Sequence, residues 1–140
     1  MTILTRDTTA VRAAQASPSD LTTVIMGEPG EAGQAYRIDS SDNKAYLSDA
    51  NAGDVESAAF TGYLLGNADT DERVQAQIGG KIYLGNPAIE GTFYFVSDTA
   101  GETEDCAAQA AGNVGQMTGY GDSDGNLVIN PVSSGGTIPT

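Results

Sequence analysis

Glycine occurs 18 times in 140 residues, and it falls between short runs of β-branched and aromatic residues rather than within long amphipathic ones. A glycine inside a helix costs about 1 kcal/mol relative to alanine, whereas in a turn it supplies backbone angles that other residues avoid. This punctuation excludes a helix bundle and predicts many short strands joined by turns. Leu21–Met26 reads as a strand stopped by Gly27–Gly30, and Gln34–Ile38 as a second. The cluster Asp39–Asn43 reads as a turn before the short strand Lys44–Leu47. A polar loop is expected from Asp49 to Glu56. Ala59–Leu65 follows as a strand in which Gly62 marks a bulge, and an acidic loop runs from Gly66 to Asp71. Arg73–Ile78 alternates with period two, placing Val74, Ala76 and Ile78 on one face. Gly79-Gly80 reads as a tight turn that makes Lys81–Leu84 the hairpin partner of that strand. Thr92–Val96 is the strongest apolar run. Val114–Tyr120 and Asn126–Asn130 flank the turn Asp122–Gly125.

Two stretches read differently. Ala10–Ala16 is alanine-rich and is expected to form about two helical turns before Ser17-Pro18-Ser19-Asp20 breaks them. Residues 99–111 fit either a short helix with acids at its start and Gly112 at its end, or a loop followed by a β-edge. The expected architecture is mainly β: a single antiparallel β-barrel or sandwich domain over residues 21–131. An extended N-terminal arm (1–20) precedes it, and a short polar C-terminal tail (132–140) follows. A chain of this length can bury a core without disulfides or metals.

Six Lys and Arg stand against 19 Asp and Glu, a formal net charge of -13. Such a surface repels phosphate backbones and anionic membranes, so neither nucleic acid nor membrane is expected as a partner. The chain contains no His, which excludes Ser-His-Asp and Cys-His catalysis and His-based zinc sites within it. The single cysteine, Cys106, has no internal disulfide partner, and the acids beside it disfavour a thiolate. Met1–Arg6 is too short and too polar for a signal peptide, and no apolar run approaches membrane-spanning length. Synthesis in a cytoplasm is therefore expected.

The acidic clusters give no catalytic or metal site. Asp122-Ser123-Asp124-Gly125-Asn126 resembles the opening of a calcium loop, but position 128 is Val and no Glu follows, so the bidentate ligand is missing and turn chemistry is the better reading. Asp39-Ser40-Ser41-Asp42 is a turn of the same kind. Glu102, Glu104 and Asp105 sit in a polar run rather than in the shaped apolar cleft that paired-carboxylate catalysis needs. No catalytic residue, no cofactor and no metal ligand is assigned. The six tyrosines and three phenylalanines are expected mainly in the core. Tyr63, Tyr83, Tyr94 and Tyr120 are the candidates for a self-association surface.

The segment from Gly80-Lys81-Ile82-Tyr83-Leu84-Gly85 to Asn130-Pro131 resembles a module of tailed-bacteriophage structural proteins: small capsid decoration or cement proteins, head-fibre proteins and related tail modules. The residues that carry the resemblance are Gly91-Thr92-Phe93-Tyr94-Phe95-Val96-Ser97-Asp98-Thr99-Ala100-Gly101, then Gly112–Tyr120, then Asn126-Leu127-Val128-Ile129-Asn130-Pro131. Glu102–Cys106 is more acidic than is usual in the group. The resemblance implies a β-barrel or sandwich that self-associates, commonly as homotrimers, and bridges neighbouring major capsid proteins on the outer capsid surface after synthesis in a host bacterial cytoplasm. On this reading the arm contacts the capsid, with Ile3, Leu4 and Val11 as apolar anchors and Arg6 and Arg12 pairing with carboxylates. A tail or head-fibre module that binds host-surface glycans is the alternative expectation, and a polysaccharide lyase or glycosidase is disfavoured.

Overall fold

The structure, a computed structural model, describes residues 3–50, 55–105 and 114–137. In chain order these form β1 (Arg12–Gln15), β2 (Leu21–Ile25), β3 (Ala35–Ile38), β4 (Ala45–Leu47), the helical turn α1 (Val55–Ala58), β5 (Gly62–Leu64) and β6 (Arg73–Gln77), then β7 (Lys81–Tyr83), β8 (Phe93–Val96), β9 (Thr103–Asp105), β10 (Val114–Gly121) and β11 (Leu127–Thr137). The protein is mainly β, as its glycine spacing predicts. One sheet has six strands in the order β1-β7-β11-β10-β8-β9, and the other has five in the order β2-β6-β5-β3-β4. The strand pairings are antiparallel. The arrangement is a sandwich and not a closed barrel, although Met26 bridges Ala45 and so curls the five-stranded sheet towards itself at one end.

Period-two alternation explains the core. On β3 and β5, Ala35 and Tyr63 point towards the six-stranded sheet, where they meet Ile82, Tyr94, Leu127 and Ile129. The next residue on each strand, Tyr36 and Leu64, points the other way. There it joins Val74, Ala76, Met26 and Ala68 in a second apolar cluster on the concave face of the five-stranded sheet. Two loops, 26–34 and 66–72, are tied by reciprocal backbone hydrogen bonds between Gly30 and Ala68 (2.9 and 3.0 Å) and close one end of that face.

Two hairpins follow the turn chemistry read from the sequence. β3 and β4 pair across Asp39–Asn43, where Asp39 Oδ1 accepts from the Ser41 backbone N–H (2.8 Å) and hydroxyl. β10 and β11 pair across Asp122–Gly125. The expected hairpin of β6 with β7 is not formed. β6 pairs with β2 and β5 in one sheet, while β7 pairs with β1 and β11 in the other. Gly79-Gly80 is therefore a corner between sheets rather than a hairpin turn. Gly80 has φ of +75°, and a side chain there would collide with the Gln15 carbonyl. Residues 12–25 run antiparallel to 73–83 and turn the same corner, with the Ile78 N–H donating to the Asp20 carbonyl (2.8 Å).

The expected helix at Ala10–Ala16 is a strand instead. Pairing with β7 fixes Arg12–Gln15 in extended form, and tertiary pairing overrides the helix propensity of alanine. Nor is the segment 1–20 a free arm within the described residues. The Leu4 N–H donates to the Thr103 carbonyl (2.7 Å) and the Asp7 N–H to the Leu84 carbonyl (3.0 Å). The segment thus runs from the β9 edge across the sandwich to the β1 edge as a strap. The tail read from Pro131 onward continues as strand to Thr137. The loop from Asp49 to Glu56 ends in α1, and its residues 51–54 lie outside the described residues. Of the two readings of 99–111, Thr103–Asp105 is the β-edge. Residues 106–113, Cys106 among them, also lie outside the described residues.

Leu4 is 8% exposed and belongs to the inter-sheet core, whereas its neighbour Ile3 is 37% exposed. Leu4→Ala is expected to cost about 2–4 kcal/mol of unfolding free energy, as a core leucine does, and Ile3→Ala far less. Urea denaturation of the two variants checks this.

Candidate functional site

On the six-stranded sheet Ile82, Tyr94, Val96, Leu127 and Ile129 face the core, so their neighbours along each strand face out. The register aligns the outward residues in rows. Phe93 lies opposite Tyr120, Tyr120 opposite Val128, and Val128 opposite Lys81. A second row joins Phe95, Met117 and Val132. Phe93 and Val132 are 52% and 53% exposed, and the others are half-buried. This is a contiguous apolar face on a strongly acidic molecule, the kind of patch that marks an interaction surface.

No outward residue of β7, β8 or β10, nor of β11 up to Val132, is acidic. Among the described residues, Lys81 and Arg12 lie at one side of this face, the Arg12 guanidinium 4.3 Å from the Tyr83 ring centroid, and the buried Glu104 of β9 stands opposite Phe95 at the other. Lys81 Nζ is 3.0 Å from Asp122 Oδ2. The ammonium, with the Asn126 and Asp124 backbone N–H groups, holds the Asp122 carboxyl below the usual range. Oδ1 accepts both backbone N–H groups that secure the β10–β11 turn, while Oδ2 faces the Lys81 ammonium. Among the described residues no group of three or more metal-ligating side chains converges. By contrast, the loops of the five-stranded sheet carry Glu28 and Glu31, Asp39 and Asp42, and Asp69, Asp71 and Glu72.

The residues expected to contact a partner through a free arm are divided. Leu4 is buried and Val11 packs against the same core. The Arg6 guanidinium donates to Glu102 Oε1 (2.7 Å) and to the Ala32 carbonyl (3.1 Å). Burial alone would lower its pKa, but the hydrogen bond and charge of Glu102, with Glu31, raise it instead. These three hold the strap to its own domain, so they are not an exposed contact set. Ile3 and Arg12 remain partly or fully exposed. Glu102 is thereby an anchor for Arg6, and Glu104 is buried beside Ser97 (3.3 Å).

The four tyrosines expected at a self-association surface also divide. Tyr83 and Tyr120 lie on the outer face of the six-stranded sheet. Tyr63 and Tyr94 are core residues and not surface ones, because their strand parity turns them inward. The Tyr63 hydroxyl donates to Thr118 Oγ1 (2.8 Å) and lies 2.8 Å from Thr103 Oγ1, linking the two sheets. The Tyr94 hydroxyl accepts from the Ile89 N–H (2.9 Å). Sequence reading missed the outer face itself, since the strand partners that assemble its rows are distant in the chain.

No protein family, no curated protein and no solved structure matches the chain. The resemblance of residues 80–131 to tailed-phage modules rests on its motif residues alone.

Tyr36 provides an internal contrast to Tyr63. Its hydroxyl is buried with no hydrogen-bond partner. Burial pushes both phenols up to about 12, with the threonine hydrogen bonds opposing the shift at Tyr63. Tyr63→Phe is expected to cost about 1–2 kcal/mol by leaving Thr103 and Thr118 under-bonded, whereas Tyr36→Phe is expected to be neutral or stabilising, since it removes an unpaired polar group. An unfolded phenol ionises near pH 10, while these hold their protons in the fold. Their stabilising contribution is therefore intact below about pH 10 and is withdrawn as the pH rises towards 12. Thermal melts of both variants and the wild type between neutral and alkaline pH check both expectations.

Proposed function

We propose that this chain is a non-catalytic structural virion protein that covers the outside of a tailed-phage head, bridging neighbouring major capsid proteins. The observation that supports the reading is the division of the surface between a largely apolar face on the six-stranded sheet, where Glu104 of β9 is buried, and acidic loops on the five-stranded sheet. The first is suited to lie against a large partner. The second is suited to face solvent, where like charge keeps particles apart. The motif residues of 80–131 supply the tailed-phage class. Homotrimers belong to the same reading, with Tyr83 and Tyr120 at or beside the contacts. Copies would then assemble on the particle, where a less acidic partner offsets their mutual repulsion.

Phe93→Asp and Val132→Asp place charge at exposed positions and are expected to leave the melting temperature nearly unchanged. They are also expected to weaken binding to heads stripped of this chain by at least about ten-fold, the loss typical of a charge introduced at a central contact. Co-sedimentation with the heads and quantitative mass spectrometry of purified virions provide the readouts. Hundreds of copies per particle are expected for a cement protein. A handful would instead favour the tail or fibre module that binds host glycans. Absence from particles, or full binding by both variants, overturns the reading.

A further inference from the structure

The contacts that seat the strap come from residues far along the chain. At one end Ile3 bridges Glu104, and the Leu4 N–H bonds the Thr103 carbonyl while the Leu4 side chain enters the inter-sheet core. In the middle Asn86 Nδ2 donates to the Thr5 carbonyl (2.9 Å), and Glu102 and the Ala32 carbonyl accept from the Arg6 guanidinium. At the other end the Asp7 N–H donates to the Leu84 carbonyl. A side chain at Gly85 would collide with the Asp7 backbone, so the path of the strap is kept clear. The body of the sandwich thus carries a formed groove, and the segment that fits it is residues 3–7 of this chain.

Two features make the strap separable from the body that holds it. It is joined to β1 through a single turn at residues 7–10. There Asp7 Oδ1 accepts from the Thr9 N–H (3.1 Å) and hydroxyl, and the Asp7 carbonyl accepts from the Ala10 N–H (2.9 Å). Asp7 and Thr9 are exposed, so water replaces these bonds at little cost when the turn opens. Along one flank the strap is not packed: a cavity of about 480 Å³ lies between Ile3–Thr5 and the loop residues Asn86, Pro87 and Ile89. Lifting the strap removes one core side chain, Leu4, one ion pair, Arg6 with Glu102, and a few backbone hydrogen bonds. An identical strap restores all of them.

We propose that the strap is an exchange element between copies of this chain. When copies are held side by side, residues 3–7 of one seat in the groove of its neighbour, and the turn at 7–10 opens into the link between them. No new complementarity is needed, because the groove already fits this sequence, and exchange of an identical element is for that reason a low-cost route to oligomers. In a free copy the short tether holds the strap at an effective concentration on the order of millimolar, and like charge at -13 keeps copies apart. The strap of a free copy therefore stays on its own body, and exchange belongs to crowded copies. The inference deepens the self-association part of the proposed function. Its test needs no heads, so its failure and that of head binding are separate outcomes.

Charge reversal across the ion pair tests this. Arg6→Glu sets the strap against Glu102 and Glu31, and Glu102→Arg sets the groove against Arg6. Neither variant then seats its strap in itself or in a like copy. In a mixture each strap meets an opposite charge in the groove of the other variant. Native mass spectrometry shows monomers for each variant alone and assemblies containing both for the mixture. In NMR spectra the Leu4 and Thr103 amide signals return to their wild-type positions only in the mixture. A second measurement does not depend on those variants folding. Leu4→Ala in the full chain loosens the strap, and a synthetic peptide of residues 3–10 raises its melting temperature, as a ligand of the folded state does. The same peptide carrying Leu4→Ala does not. A mixture that stays monomeric, or a melting temperature that the native peptide leaves unmoved, overturns the proposal.

Discussion

At the corner where Gln77, Gly79 and Gly80 carry the chain from one sheet to the other, the buried Gln77 amide donates to the carbonyl oxygens of Gly79 and Lys81, both at 2.8 Å. That staple holds two strand pairs through one bend, β2 with β6 on one side and β1 with β7 on the other. Beyond the bend, β7 pairs with β1 and β11, and the Ile129 N–H donates to the Gly80 carbonyl (2.9 Å), so the inward Ile82 and Leu127 join Tyr63 in the core between the sheets. Strands that switch sheets at such corners are how sandwiches join their layers. Here two glycines and one amide suffice, because Gly80 accepts the left-handed angle and leaves room for the Gln15 carbonyl.

The strands were legible in the sequence wherever a local rule decided them. Val74 and Ala76 alternate in sequence and do face one side, while Ile78 lies just beyond β6 and is exposed. Asp39 and Asp122 sit in hairpin turns because their carboxylates accept backbone N–H groups two residues on. What was not legible depends on contacts distant in the chain. Nothing near Ala13 distinguishes a helix from a strand, and β7 supplies the decision from seventy residues away. Leu4 and Arg6 look like arm residues until Thr103 and Glu102 are placed beside them. The candidate surface shows the same limit, since Tyr63 and Tyr120 are alike as sequence and only the assembled sheets separate core from face.

The strap and the two apolar clusters explain why so small and acidic a chain folds. Mutual repulsion at -13 opposes compaction, but the carboxylates lie mostly in loops, where salt at physiological ionic strength screens them beyond about 8 Å. Where a carboxylate does enter the body, it is met: Glu102 by Arg6, and Asp122 by Lys81. The charge is therefore arranged around the core rather than against it, and β7, β8, β10 and β11 up to Val132 carry no outward acidic residue.

That arrangement also bears on what the apolar face can meet. Two copies brought face to face would juxtapose two bodies of the same strong charge, with only Arg12 and Lys81 on each face to offset it. A partner of lower or opposite charge carries no such penalty and gains the long-range attraction that speeds encounter. The same repulsion opposes association of free copies through exposed Phe93 and Val132. On the proposed reading, association among copies would follow docking, since each docked copy would lose part of the charge that opposes its neighbours.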